Sequence, residues 1–374
     1  MKHHIADAKR VVIKIGSSLL VDNKTGAIHR QWLNSLVDDI VKCWQRGQDV
    51  VIVSSGAIAL GRRHLHLMHH PLQLEEKQAS AAVGQIRLAH AYHEALEKHG
   101  ITVAQILLTL DDSENRKRYL NAKNTLDTLL KLRVIPVINE NDTIATAEIR
   151  FGDNDRLAAR VAQMVSADTL VLLSDIEGLY TANPRLDSKA TLIPEVTQLT
   201  PEILAMAGDS ATQFGSGGMI TKLAAAKIAL ASGCRMVIAA GKHLSPLTQI
   251  DEVGNNTWFI PSTTPINARK IWIAQHLKPH GTITIDAGAV NALRQGKSLL
   301  SVGVIDIQGE FNKGDAICIV DAAKNEIARG LINYSSHEAK KIIGRKSSEY
   351  ESILGYSGCE EMIHRNDLVV QSGV

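Results

Sequence analysis

The chain has 374 residues, 45% hydrophobic and 21% charged, the composition of a soluble globular protein long enough that two cores are expected. With 41 Lys and Arg against 39 Asp and Glu the formal charge is +2, too small to draw the whole molecule toward nucleic acid or an acidic membrane. No apolar run approaches the ~20 residues of a membrane span. No secretory apolar region follows Met1, because Asp7, Lys9 and Arg10 come too early, and Cys43, Cys234, Cys318 and Cys359 form no C-x-x-C pair. A cytoplasmic protein with reduced thiols is therefore expected, rather than a zinc site or a disulfide framework.

Val11 to Ile15 reads as a strand interrupted by Lys14, and Gly16-Ser17-Ser18 as a turn of small residues that lets backbone amides approach a phosphate. A lysine inside an apolar strand is costly unless it reaches an anion, which makes Lys14 a candidate site residue. The competing reading is an edge-strand lysine whose head reaches water. Apolar spacing from Gln31 to Arg46 predicts a helix stopped at Gly47. Val50 to Val53 is a second strand, ending in Ser54-Ser55-Gly56-Ala57 and repeating the strand, turn and helix pattern. His64, His66, His69 and His70 have no carboxylate or cysteine at ligand spacing and read as a solvated loop. A helix over Ala79 to Lys98, a strand over Thr102 to Leu108 and an amphipathic helix over Asn115 to Arg133 follow, the last with its Lys and Arg on a wet face.

The chain is organised around residues 133–162. Val134, Ile135, Val137 and Ile138 form a run of the kind a parallel sheet buries on both faces, with Pro136 tolerable near the strand start. The strand delivers Asn139, Glu140, Asn141 and Asp142 to the carboxyl end of the sheet, where ligands gather in open α/β folds. Gly152-Asp153-Asn154-Asp155 then precedes an Ala/Leu/Val run and reads as the cap and first turn of a helix. Taken alone, both clusters fit a polar loop and an ordinary cap equally well. Thr169 to Leu173 is another buried strand, ending in Ser174-Asp175. Gly215 to Lys222 leads into an Ala-rich helix, so clustered amides, a helix dipole and the Lys222 charge are offered to a phosphate chain. The spacing fits neither the P-loop nor the dinucleotide fingerprint.

In order, VVIKIGSS, IVSSGAIALG, PVINENDTIATAEIRFGDND, LLSDIEGLYTANPR and GSGGMITKLAAA resemble the motifs of the amino acid kinase family. Within it they are most similar to the bacterial members that open proline biosynthesis by phosphorylating L-glutamate, NENDTIATAEIRFGDND being the most particular stretch. Departures are mild: Ser54 and Ser174 stand where threonine would be unsurprising, and Asn183 where Asp is frequent. The resemblance implies an α/β fold, a mainly parallel sheet between helix layers, followed by a small, mostly-β domain similar to PUA domains. It implies ATP and Mg²⁺ as cofactors, with no protein ligand assigned to the metal. Lys14, Lys222 and Asp155 take the catalytic roles, Asp155 holding the two lysines. Ser55, Asp142 and Asn154 take the glutamate. Lys14, Ser174, Asp175, Ser216, Gly217, Gly218, Met219, Ile220, Thr221 and Lys222 lie along the nucleotide. A homo-oligomer, dimer or tetramer, is expected, and no membrane partner. The alternatives are a family member acting on acetylglutamate or aspartate, or an RNA-binding protein.

From Pro261 to Pro279 the pattern breaks into Pro, Ser, Thr and basic residues, which suggests a linker. Thr282 to Asp286, Val302 to Gln308, Ala316 to Val320 and Ile327 to Ile332 read as short strands of a small barrel-like domain, with helices near Ala287 to Arg294 and His337 to Ile343. The expected division is a kinase domain over 1–260, a linker over 261–279, a PUA-like domain over 280–360 and a tail over 361–374. Lys340, Lys341, Arg345 and Lys346 form a basic cluster without an interleaved aromatic platform, so RNA is a possible but not a favoured partner.

Overall fold

The computed structural model describes residues 3–22, 24–144, 154–207, 218–276 and 278–370, in two compact units, 1–265 and 266–374. The first unit is built on one eight-stranded sheet of order β3-β4-β2-β1-β5-β7-β8-β6. Its strands are β1 (Arg10–Ile15), β2 (Asp49–Ser54), β3 (Val103–Leu108), β4 (Ile135–Glu140), β5 (Thr169–Ser174), β6 (Glu195–Val196), β7 (Arg235–Ala240) and β8 (Asn256–Phe259). All neighbours are parallel except β7 with β8. The apolar runs of β1, β2, β4 and β5 are buried almost throughout, as a sheet covered on both faces requires. Helices Arg30–Gln45 and Leu74–Glu97 cover one face. Arg116–Lys131, Asn154–Met164 and Met219–Ala231 cover the other.

Two consequences bear on the site. β1 lies between β2 and β5 at the middle of the sheet, which rules out the edge-strand reading of Lys14. From β1 the chain passes to β2 on one side, and after β4 it crosses back to β5 on the other, so the strand order reverses at β1 and a crevice opens beyond the strand ends. Pro136 is accommodated because the β2–β4 ladder begins only at Val137.

Helix Ala57–His64 crosses helix Leu74–Glu97 at a backbone-to-backbone contact. A methyl group on Gly61 would lie 1.7 Å from the Ser80 carbonyl oxygen, and one on Gly84 1.7 Å from the Ala57 carbonyl oxygen. Only glycine at both positions lets the helices meet this closely.

In the second unit, β9 (Gly281–Ile285), β10 (Val304–Gly309), β11 (Ala316–Val320), β12 (Glu326–Leu331) and β13 (Leu368–Val370) form a sheet of order β10-β9-β11-β12-β13. β9 and β11 are parallel and the other pairs antiparallel. Two stretches differ from expectation. Helix Pro265–His276 occupies much of the expected linker; it opens on Pro265, whose fixed φ and missing N–H suit a first turn, so the proline marks a helix start rather than a break. The expected tail supplies β13 and the fully buried Met362 and Ile363, whose contribution was too short to register as a periodic pattern. No helix among the described residues is long and apolar enough to cross a membrane, and the four cysteines are free.

Candidate active site

β1, β2, β4 and β5 end at Ile15, Ser54, Glu140 and Ser174, and a cleft of about 680 Å³ opens beyond them. Lys14, Ser55, Asp142, Asn154, Ser174, Asp175 and Lys222 all line it. Helix ends contribute to the lining: Ala57, after Gly56 in the left-handed conformation (φ 113°), Asn154, and Lys222 in the first turn of helix Met219–Ala231.

At the centre is a buried charge cluster. Lys14 Nζ lies 2.6 Å from Asp155 Oδ1 and Lys222 Nζ 3.2 Å from Oδ2. The Thr221 hydroxyl donates to the same Oδ2 at 2.9 Å. Exposures are 8% for Lys14, 2% for Asp155 and 6% for Lys222. Burial pushes the Asp155 carboxyl up, but Lys14 and Lys222 outweigh it and hold the group well below the usual carboxylate range. One carboxylate against two ammoniums leaves the triad a positive charge in excess, away from water. Such an arrangement is stable only where an anion completes it.

The same cleft also holds a lone acidic group, Asp142. Asp142 is 7% exposed and has no hydrogen-bond or ion-pair partner among the described residues. Burial, with the Glu140 charge added, pushes its carboxyl up to about 7. Also lining the cleft, the Asn154 amide donates to Ser55 Oγ at 2.6 Å, to Asn139 Oδ1 at 3.2 Å and to the Ser54 carbonyl at 3.3 Å. With its NH₂ spent on three acceptors, Asn154 keeps a buried Oδ1 without a donor among the described residues, an omission that costs about 1–3 kcal/mol unless a ligand supplies one. An unpartnered carboxylate and an unpartnered amide oxygen in one pocket call for a ligand cation with several N–H groups.

Toward the nucleotide side expected from the motifs, the Ser174 hydroxyl donates to Asp175 at 3.2 Å, and Asp175 pairs with Arg185 at 3.6 Å on the surface. Gly218 caps helix Met219–Ala231, so Met219, Ile220, Thr221 and Lys222 form its first turn. Ser216 and Gly217 lie outside the described residues, as do Gly152 and Asp153.

Sequence reading missed part of the support. Asn139 Nδ2 donates to Gln85 Oε1 at 2.7 Å, so a helix residue 54 positions away orients the amide that orients Asn154. The signal was present: Gln85 follows Ala81 and Gly84 and precedes Leu88 on the buried face of its helix, where a polar side chain needs a partner. Arg62 also lines the cleft, and its guanidinium gathers the carbonyls of Leu67, Met68 and His70, drawing the histidine-rich loop together. No motif announces that role.

The fold and this cluster define a kinase of small acids. The chain belongs to the amino acid kinase family, whose model matches residues 9–240; a PUA domain model matches residues 281–354. The glutamate 5-kinase of Paramagnetospirillum magneticum is 60% identical over 367 residues, 98% of this chain and 99% of that protein. The glutamate 5-kinase of Rhodospirillum rubrum is 56% identical over 361 residues, 96% of each. Among solved structures, a carbamate kinase from Giardia lamblia bound to AMP-PNP shares the fold at a TM-score of 0.50 and 18% identity, covering 69% of this chain and 100% of its own.

Proposed function

We propose that the protein transfers the γ-phosphoryl group of ATP to the side-chain carboxylate of L-glutamate, forming L-glutamyl 5-phosphate in the first step of proline biosynthesis. The observation that carries this reading is that one cleft is lined both by two buried ammoniums and by Asp142 and Asn154, whose carboxylate and Oδ1 have no partner among the described residues. Asp142 and Asn154 Oδ1 take the substrate α-ammonium through charge-assisted hydrogen bonds. Ser55, held by Asn154, fixes the substrate in the same pocket. The γ-carboxylate then points toward Lys14 and Lys222.

The acceptor is already ionised at neutral pH, so no general base is needed. What the chain supplies is in-line placement and positive charge around the dispersed charge of the transferring group. Asp155 fixes both ammoniums before substrate arrives. Mg²⁺ would travel with the nucleotide on phosphate oxygens and water, neutralising phosphate charge. The test is ADP release across a panel of acidic amino acids with hydroxylamine trapping of the acyl phosphate. Failure to trap a hydroxamate from glutamate, with turnover on another acid, would reject the assignment.

An N-acetylated substrate offers no ammonium and leaves Asp142 buried and unpaired, a penalty on the order of 3 kcal/mol. N-acetylglutamate should therefore be a poor substrate. Asp142→Asn should raise KM for glutamate far more than KM for ATP. The raised carboxyl of Asp142 also sets a pH dependence. Below about 7 the empty pocket is protonated, so glutamate KM should rise as pH falls from 8 to 6, by up to about tenfold per unit. Asp142→Asn should flatten that profile. The same shift has the opposite sign for stability: a raised folded value favours the folded state at low pH, and the advantage fades as pH climbs from 3.8 to about 7. A pH-independent glutamate KM in the parent protein would show that Asp142 does not meet the ammonium.

Every described residue given a role here lies within 1–265, and that unit has its own sheet and cores. A fragment ending at Pro265 should fold cooperatively and keep kinase activity. A folded but inactive fragment would mean that the second unit completes the site.

A further inference from the structure

A second hollow, of about 570 Å³, adjoins the cleft through a shared wall at Gly26. It lies between the hairpin closed by the Val21–Ile28 bridge, helix Ala57–His64 and helix Leu74–Glu97. Arg30, Arg63, His64, Arg87 and His90 line it. Arg30 is paired, to Glu94 at 2.6 Å, which holds that carboxyl below its ordinary range. Arg63 has no ion-pair or hydrogen-bond partner among the described residues. Arg87 reaches only the His64 ring, its Nη2 lying 3.1 Å from Nδ1 and 3.0 Å from Nε2. Three exposed guanidiniums thus line one concavity with a single ion-paired carboxylate among the described residues, which leaves the rim two positive charges in excess before either histidine is counted.

We infer that this hollow binds a small oxyanion carrying two or more negative charges. Planar guanidiniums converging from different elements match the lone-pair geometry of phosphate or of a polycarboxylate, and the residual charge matches a dianion. Nothing in the phosphoryl transfer uses these residues. The site is seated directly on the cleft wall: the direction in which Gly26 would carry a Cβ places that atom 2.7 Å from Arg63 Cβ. The Arg63 stem therefore packs on Gly26, which also lines the cleft.

The experiment is calorimetric titration of the full chain with inorganic phosphate and, separately, with citrate, while a non-hydrolysable ATP analogue and glutamate fill the cleft. One of the two anions should bind at a site that the substrates do not displace, and the stronger one names the source chemistry. Arg63→Gln with Arg87→Gln should weaken that binding at least about tenfold, while Arg63→Lys with Arg87→Lys retains part of it and both variants keep kinase turnover. Arg87→Gln alone gives the same direction should the double variant fold poorly. Three results would each overturn the inference: no substrate-resistant binding of either anion, binding indifferent to the glutamine substitutions, or loss of subunit association in the glutamine variants by sedimentation, which would assign the arginines to an interface.

Discussion

Lys222→Ala and Lys14→Ala are each expected to lower kcat by a factor of about 100 to 1,000, roughly 3 kcal/mol of lost transition-state stabilisation, with much smaller changes in glutamate KM. Each lysine reaches Asp155 from a different element, one from the central strand and one from a helix first turn. Removing either leaves the other paired, so the fold should survive and the loss should fall on turnover. Asp155→Asn is the complementary case. It strips the counter-charge from two buried ammoniums, and breaking a buried pair in this way costs about 3–5 kcal/mol, so melting temperature and kcat should fall together. The depressed Asp155 carboxyl contributes stability that is in place above its ordinary value of 3.8 and is lost as pH falls through the folded value. The asparagine variant should lack that acid-side loss. Near-normal turnover in both lysine variants would remove the basis for the catalytic assignment.

Gly84→Ala should destabilise the first unit and raise glutamate KM together, though the substitution touches no substrate. Alanine in a helix interior is worth up to about 1 kcal/mol over glycine. Against that stands a methyl placed 1.7 Å from a carbonyl oxygen of the facing helix. Relief requires the two helices to move apart, and overpacking of this kind costs about 1–3 kcal/mol or more, so the clash outweighs the propensity gain. The displaced helix carries Ala57, Ile58 and Ala59 on the cleft wall. Gly288→Ala, whose added methyl would meet only the capping Asp286 Oδ1, at 3.3 Å, needs a shift of a few tenths of an ångström rather than a parting of helices, so it should cost much less and serves as the comparison. Equal melting temperatures for the two variants would mean that the crossing tolerates separation.

Much of this arrangement was legible in the sequence, for identifiable reasons. Apolar runs such as VVI and TLVLL have no use outside a doubly covered sheet, so β1, β2, β4 and β5 could be read within a residue or two. Lys14 stood out because it breaks such a run, and the structure gives it a buried carboxylate partner. The glycine crossing was not legible, because Gly61 and Gly84 are 23 positions apart on separate helices and glycine in a helix carries no signal of what faces it. Short polar strands such as β6 and β8, with Asn256 and Thr257 in the latter, leave no alternation to detect. The Gln85–Asn139–Asn154 relay needs three elements in place before any of its contacts exists.

The position of β13 also governs the timing of assembly during synthesis. The first unit has all its strands once residue 259 has been made, and its chain boundary falls at residue 265. The second cannot close its sheet until residue 370 arrives to pair with β12 and seat Leu368 beside Met362 and Ile363. Because domains fold as units, N-terminal first, the candidate cleft can form while the second unit is still an unfinished sheet with β12 open along one side. For that interval the nascent chain carries a formed cleft and an unsatisfied strand edge at the same time, and the exposed edge sets its susceptibility to aggregation.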